Sequence, residues 1–559
     1  MWHEAPWRRD ALFLAAAVVL SLVSYGPRLG FYSDDWAFFG LYATAAEQSI
    51  AGFYDASISS QHAMRPLQVW LCAALYALFG LEPLGYHLFN GALLVANAVL
   101  VHAIARELRA PRVIGLAVAL TYALLPSYST DRFWFLAFAI VLSMTTCLAS
   151  IYAALRVVTA SPRAALAWAV VSPVALLVSG LSYEVALPLL LLLPILVGLR
   201  LWHTQGVRPR HRLVLVGAVL VTNAVCLAGV VAFKLGTTVR LGADEGVAAQ
   251  IGDIVRHAVR LDLPDGHYGL NIFSALRVHF GDAGVRLPAI AWHLMPDAPA
   301  GVLALTVAFG LFTFSYLAIV ARRTEWPSLR QWLALMLAGV VVFGLGYAIF
   351  LTNYNVQFTP TGIANRSAIG AALGAAMVIV GAIGLTLTPL PSRIAPVALA
   401  ALIAIVASCG FIVINAVAQR WIEAYQIEQR VLNGIHRRFP SLPSHSALIL
   451  DGVCPYVGPA VVFESNWDLA GALQVMYRDR TLSADVVTPR LEVGEEGITT
   501  TIYGVVKTYP YGERLFVYNV ASDVATPLPD VASAREYFRL SARDQACPPA
   551  QEGIGVRIF

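Results

Sequence analysis

Two adjacent carboxylates, Asp34 and Asp35, stand in the stretch FYSDDWAFF just after the first long apolar segment. Acids at the end of a membrane helix are costly unless the loop that follows binds something or does chemistry there. Either acid could accept the proton of an attacking hydroxyl as a general base, with Asp35 the preferred one. Side-by-side carboxylates also push each other's proton affinities apart. The pair could instead hold a divalent cation, since carboxylates suit hard metals; the cofactor is otherwise unknown. The plainest alternative is that SDDW caps a loop helix through Ser33 or Asp34.

Phosphate chemistry needs fixed cations, and two arginines qualify. Arg65 precedes Pro66 in the first outer loop, and Arg366 sits at the outer end of a span in TPTGIANRSAIG, which follows Tyr354 and contains Asn365. A guanidinium can clamp a phosphate through paired hydrogen bonds or offset the charge that grows on a leaving phosphate. Their alternatives are snorkelling at the interface and contact with lipid head groups. Glu184, in SGLSYEVALP, is either a site residue or half of a packing pair. His87 and Asn90 share one helix face, where they bind substrate or, as we favour, brace the first outer loop. His62, Asp131 and Arg132 complete the candidates for substrate binding or support.

The elements that position these residues are membrane helices. Of 559 residues, 58% are hydrophobic and 13% charged, against roughly 25% charge in soluble domains. Apolar runs near 10–27, 84–105, 112–127, 134–155, 164–180, 184–200, 212–233, 300–320, 331–351, 367–387 and 395–416 predict eleven spans, the first a retained helix rather than a cleaved leader. With the N-terminus in the cytoplasm, fifteen arginines from Arg8 to Arg393 fall on the inner side, whereas Arg28, Arg65, Arg132 and Arg366 lie in short outer loops. That bias follows the positive-inside rule and puts the tail outside. It speaks of orientation in a membrane, not of nucleic acid. No nucleotide fingerprint, histidine-rich metal cluster or nucleophile elbow is present, which argues against ATP-driven and hydrolytic chemistry.

The fold class expected is an all-α multi-spanning domain, 1–416, with outer loops 27–83 and 234–299, followed by an extracytoplasmic α/β domain, 417–559. Within the first loop we expect a helix near 42–51 and an interfacial helix over Leu67–Phe79, anchored by Trp70 and Tyr76. In the second we expect an amphipathic helix over Ile251–Val259 and another helical piece near 271–280. The tail begins as a helix that stops near Pro440. Strand-like runs SALILDG, AVVF, TTIYGVV and RLFVYNV follow. Cys454 and Cys547 lie in this tail, and a disulfide between them or two free thiols are both open.

The acids after the first span, the RPL element Arg65–Leu67, the HxxN segment His87–Asn90 and about eleven spans with an outer domain resemble the membrane glycosyltransferases of the C-type superfamily. That superfamily includes protein O-mannosyltransferases and lipid A aminoarabinose transferases. The resemblance covers most of residues 1–416. It implies a polyprenyl-phosphate sugar donor, a glycan or lipid acceptor among membrane lipids, and catalysis on the outer face of a bacterial cytoplasmic membrane. It also implies that Asp34 or Asp35 is the loop acid, that Glu184 matches an acid after a mid-chain outer turn, and that Arg366 matches a late basic residue near the donor phosphate. The tail lacks the tandem sugar-binding modules of the protein mannosyltransferases, which disfavours a protein acceptor.

Two other classes compete: a transporter or flippase of lipid-linked glycans, and a structural component of an envelope-assembly complex. A transporter needs ionisable residues near mid-membrane or an inverted repeat. Here the polar residues gather at the outer ends. A glycan polymerase or ligase is the alternative among enzymes.

Overall fold

The computed structural model describes residues 4–58, 62–204, 210–240, 267–352, 358–502, 505–540 and 547. Among these, nine helices are long and apolar enough to cross a membrane. The chain is a multi-pass membrane protein. Two of the eleven expected spans are shorter than a bilayer needs. Arg112–Leu124 is a 13-residue helix with every residue after Arg112 buried, so protein rather than lipid surrounds it. The other opens as a 3-10 segment, Leu187–Leu192, before the helix Leu193–His203. Pro188 and Pro194 remove backbone donors there, and the tighter coil gains more length per residue.

The first span, α1 (Glu4–Val23), leads into the first long loop. Three helices follow: α2 (Asp34–Ala43), α3 (Ile50–Ser57) and α4 (Pro66–Phe79), before the span α5 (Pro83–Glu107). The helix expected near 42–51 is therefore corrected: residues 44–49 are a turn between two helices. Gln48 holds that turn by donating to the carbonyls of Tyr42 and Ala45, at 3.1 and 3.0 Å. The interfacial helix forms as α4, with Pro66 at its first turn, where a missing N–H costs nothing. Trp70 is exposed, but Tyr76 is not an outward anchor. Its ring packs inward on Phe39, Tyr42 and Phe53.

In the second long loop, Ile251–Val259 and Tyr354 of the later loop lie outside the described residues. The piece expected near 271–280 is a helix, His267–Leu276, that widens into a π-helix, Arg277–Val285.

The last span does not stop at the membrane. Ala395–Arg438 is one helix of 44 residues that runs through the expected boundary at 416–417 and ends two residues before Pro440. The tail then builds a sheet of order β4-β1-β8-β9 from β1 (Ala447–Asp451), β4 (Ser483–Val486), β8 (Leu515–Asn519) and β9 (Val524–Pro527). The first three strands are parallel, and β9 is antiparallel. Parallel neighbours need a crossover, and between β1 and β4 it is the helix Asn466–Tyr477. That crossover helix also packs on α2. Two short strands, β2 (Tyr456–Val457) and β3 (Ala460–Val461), form a hairpin, and β5 (Glu492–Val493), β6 (Gly497–Ile502) and β7 (Val505–Pro510) a further antiparallel sheet. Cys454 and Cys547 are joined as a disulfide.

Candidate active site

Asp34 and Asp35 occupy the first two positions of α2 and have different surroundings. Asp35 is fully buried. Its Oδ2 accepts from the N–H of Tyr32 at 2.9 Å and its Oδ1 from the N–H of Leu136 at 3.0 Å. The first bond fixes the turn just ahead of the helix, and the second ties the loop to the start of a span. Both oxygens of Asp35 thus serve the backbone. Among the described residues no three His, Cys, Asp or Glu side chains converge as a metal site. Ser33, the N-cap residue, makes no side-chain cap bond.

Asp34 is only partly buried. Burial raises its proton affinity above the ordinary carboxylate range, while the charges of Arg366 and Arg65 and a contact with Trp467 of the tail oppose the rise. Burial also drives Asp35 up, as does the charge of Asp34, against its backbone bonds.

Arg366 sits in a 3-10 turn, Ile363–Ala368, at the start of a span, with its guanidinium 4.6 Å from the centre of the Trp134 ring. It feels the charges of both Asp34 and Asp131. Asp131 is buried, and neither of its carboxylate oxygens has a hydrogen-bond partner among the described residues. Trp134, in turn, donates from Nε1 to the Tyr32 carbonyl at 3.0 Å, so the shelf under Arg366 and the acid loop are one unit. Asn365 does not face this group. Its side chain accepts from the N–H of Thr130 at 3.0 Å and donates to the Ser127 carbonyl at 2.7 Å, stitching the Arg366 loop to the turn that carries Asp131, and donates to the Pro360 carbonyl of its own loop at 2.8 Å.

Arg65 and Glu184, 119 residues apart, form a two-pronged ion pair: Nη2 to Oε1 at 2.8 Å and Nε to Oε2 at 3.0 Å. Lys234 approaches the same carboxylate at 3.5 Å, and the Arg65 guanidinium lies 3.9 Å from the Tyr183 ring centre. The cluster carries two cations and one anion. His62 packs its ring on Phe38 at 4.8 Å, and burial and the Arg65 charge hold it neutral, with its pKa down to about 4. His87 and Asn90 brace: His87 Nε2 meets the Gly30 carbonyl at 3.0 Å, and Asn90 donates to the Asp131 carbonyl at 2.6 Å.

Sequence reasoning missed four contributors. Lys234 had a visible signal, a lone lysine closing an apolar run. Trp134, Trp467 and Glu464 had none, because their place follows from how the tail and the spans meet. Glu464 accepts from the Ser33 hydroxyl at 2.9 Å, and Trp36 donates to the buried Glu428 of the long helix at 3.3 Å.

The chain is similar to two crystal structures of ArnT from Cupriavidus metallidurans. The one bound to undecaprenyl phosphate matches at 15% identity over 85% of this chain and 89% of that one, with a TM-score of 0.36. The apo form matches at 14% identity over 80% and 82%, with a TM-score of 0.33. No family model and no curated protein matches the chain.

Proposed function

We propose that this protein is a membrane glycosyltransferase that moves a sugar from a polyprenyl-phosphate donor to a glycan or lipid acceptor at the outer face of a bacterial cytoplasmic membrane. The observation that carries the reading is the division of labour within one helix turn. Asp35 is committed to backbone N–H groups, whereas Asp34 lies within the field of Arg366 and contacts Trp467. In this mechanism the acceptor hydroxyl gives its proton to Asp34 as its oxygen attacks the anomeric carbon. The bond from that carbon to the phosphate oxygen breaks, the electron pair leaves with the phosphate, and Arg366 faces the added negative charge. A raised Asp34 proton affinity suits a base that must accept a proton near neutral pH. The charge of Asp131 also acts on the Arg366 guanidinium. Arg65 belongs to the scaffold rather than the phosphate site, because its fork is already filled by Glu184.

The test is transfer by the purified protein across a panel of polyprenyl-phosphate sugars with a membrane lipid extract as acceptor, read by mass spectrometry. Asp34→Asn keeps the shape and removes the base, so turnover should fall by about 10²- to 10⁴-fold with unchanged melting. Asp35→Asn sets an amide donor against a backbone donor and should lower the melting temperature. Full transfer by Asp34→Asn would overturn the assignment.

A further inference from the structure

The π-helix Arg277–Val285 is a rare form of backbone, and such turns recur at functional sites. Here it brings two arginines together. Arg277 and Arg286 are nine residues apart, about two and a half turns of an ordinary α-helix, which would set them on opposite faces. The wider coil turns both toward one carboxylate: Arg286 Nη1 donates to Asp282 Oδ1 at 2.8 Å, and Arg277 Nε lies 3.7 Å from Oδ2. One anion faces two cations, so the group keeps a net positive charge. The Asp282 side chain is 11% exposed, whereas both arginine side chains are 56% exposed. Arg286 uses one donor on Asp282, and Arg277 is beyond hydrogen-bond reach of it, so both guanidinium forks have donors to offer.

Both arginines and Asp282 line a cavity of ≈ 380 Å³. Part of its wall is aliphatic: Leu287 and Ile290 of the helix Leu287–Leu294, and Val413 of the long helix. Paired guanidinium groups beside an aliphatic wall fit an amphiphile with an anionic group. The cavity also reaches the Arg366 loop. Ser127 and Pro360 line it, and their carbonyls accept from Asn365, the neighbour of Arg366. Neither Asp34 nor Arg366 is in its lining, so it stands beside the proposed place of the donor phosphate rather than in it.

We infer that this cavity is the acceptor subsite and that the acceptor is an anionic amphiphile, held by a phosphate or carboxylate group between Arg277 and Arg286, with its aliphatic part on Leu287, Ile290 and Val413. The inference rests on the transferase reading above. There the donor's one phosphate faces Arg366, which leaves this second cationic site to the other substrate. The anion is a different group of the acceptor from the attacking hydroxyl. A neutral or zwitterionic lipid brings no net charge to offset the unmatched guanidinium.

A membrane lipid extract split on an anion exchanger supplies the first test. Wild type should transfer about tenfold more sugar to the retained fraction than to the flow-through of neutral and zwitterionic lipids, as one charge-assisted hydrogen bond implies. Transfer confined to the flow-through would overturn the inference. Arg277→Gln and Arg286→Gln, both at exposed positions, should each raise KM for the retained fraction about tenfold, with kcat and donor KM unchanged. An unchanged acceptor KM, alongside loss of transfer in Asp34→Asn, would overturn the inference and leave the transferase reading standing; a raised donor KM would give the cavity to the donor. The second test needs no turnover. Dodecyl phosphate doped into maltoside micelles should slow amide hydrogen exchange across residues 277–287 of the full chain, about tenfold at roughly ten times its Kd, and the double variant Arg277→Gln/Arg286→Gln should abolish the effect. Dodecanol and inorganic phosphate at the same concentration should give no such protection. Equal protection by either, or none by dodecyl phosphate, would refute an anionic amphiphile as the occupant. Protection by dodecyl phosphate in a chain that transfers to neither fraction would sink the transferase reading, and the acceptor role with it, while the anion site would stand.

Discussion

Protonating or removing the Glu184 carboxylate should loosen the outer face in a way that pH can dissect. The Arg65 fork and Lys234 converge on this carboxylate, which is 22% exposed. Burial alone would raise its pKa, but Arg65 first and then Lys234 outweigh that and bring it from 4.5 down to about 2. A drop of that size corresponds to about 3 kcal/mol of stability. Because the folded value lies below the unfolded one, the contribution is complete above pH 4.5 or so and fades as pH falls toward 2. At pH 3 about 1.4 kcal/mol should remain. In Glu184→Gln the two cations face each other without a counter-charge, and this penalty does not titrate in the window. Thermal unfolding in detergent micelles, followed by tryptophan fluorescence, should therefore show wild type well above Glu184→Gln at pH 7, with the gap roughly halved at pH 3. A gap that stays constant from pH 7 to pH 3, or no gap at pH 7, would refute the ion pair as the source of this stability.

Two further substitutions test how the site is held. Gly471→Val places a Cβ 2.2 Å from the Trp36 carbonyl oxygen, so transfer should fall and α2 should gain amide hydrogen exchange while β1 and β8 keep their protection. Asn365→Ala removes two bonds that stitch the Arg366 loop to the Asp131 turn and one within the loop itself, which should cost about 2 to 4 kcal/mol; Asn365→Asp, whose side chain lacks the two donors, should restore less than half of that in the same unfolding assay.

What the sequence made legible was mostly local. The acids after the first span, the helix start at Pro66, the shared face of His87 and Asn90 and the stop before Pro440 each rest on spacing within a few residues. The helix expected near 42–51 failed because the aromatic run after Asp35 begins the helix earlier, and Gly40 does not break it. Its missing side chain lets the crossover helix approach, with Gly471 Cα 2.8 Å from where a Cβ would stand. The different duties of Asp34 and Asp35 were not legible at all. Neighbours on a helix differ by about 100° in direction, and which direction meets backbone donors depends on Leu136, a hundred residues away. The Arg65–Glu184 pair was hidden for the same reason: two ambiguous charges, each readable as an isolated anchor, resolve each other only once packed.

The position just before the acid shows why the tail belongs to the site. Ser33 has φ 49°, a left-handed value that a residue with a Cβ adopts at a cost. Such a conformation persists only where its surroundings over-determine it. Here the constraints come from both halves of the chain. The spans contribute Leu136 and Trp134, which fix Asp35 and the Tyr32 carbonyl. The long helix and the tail contribute the Trp421 carbonyl, which accepts from the Tyr32 hydroxyl at 2.9 Å, together with Glu428 on Trp36 and Glu464 on Ser33 itself. Remove either set and the turn at Ser33 can relax to ordinary backbone, which would rotate Asp34 away from Arg366. An unbroken helix from the membrane to the tail is what such a clamp requires. A hinge at the membrane surface would let the two jaws move independently, and the acid would be held by only one of them.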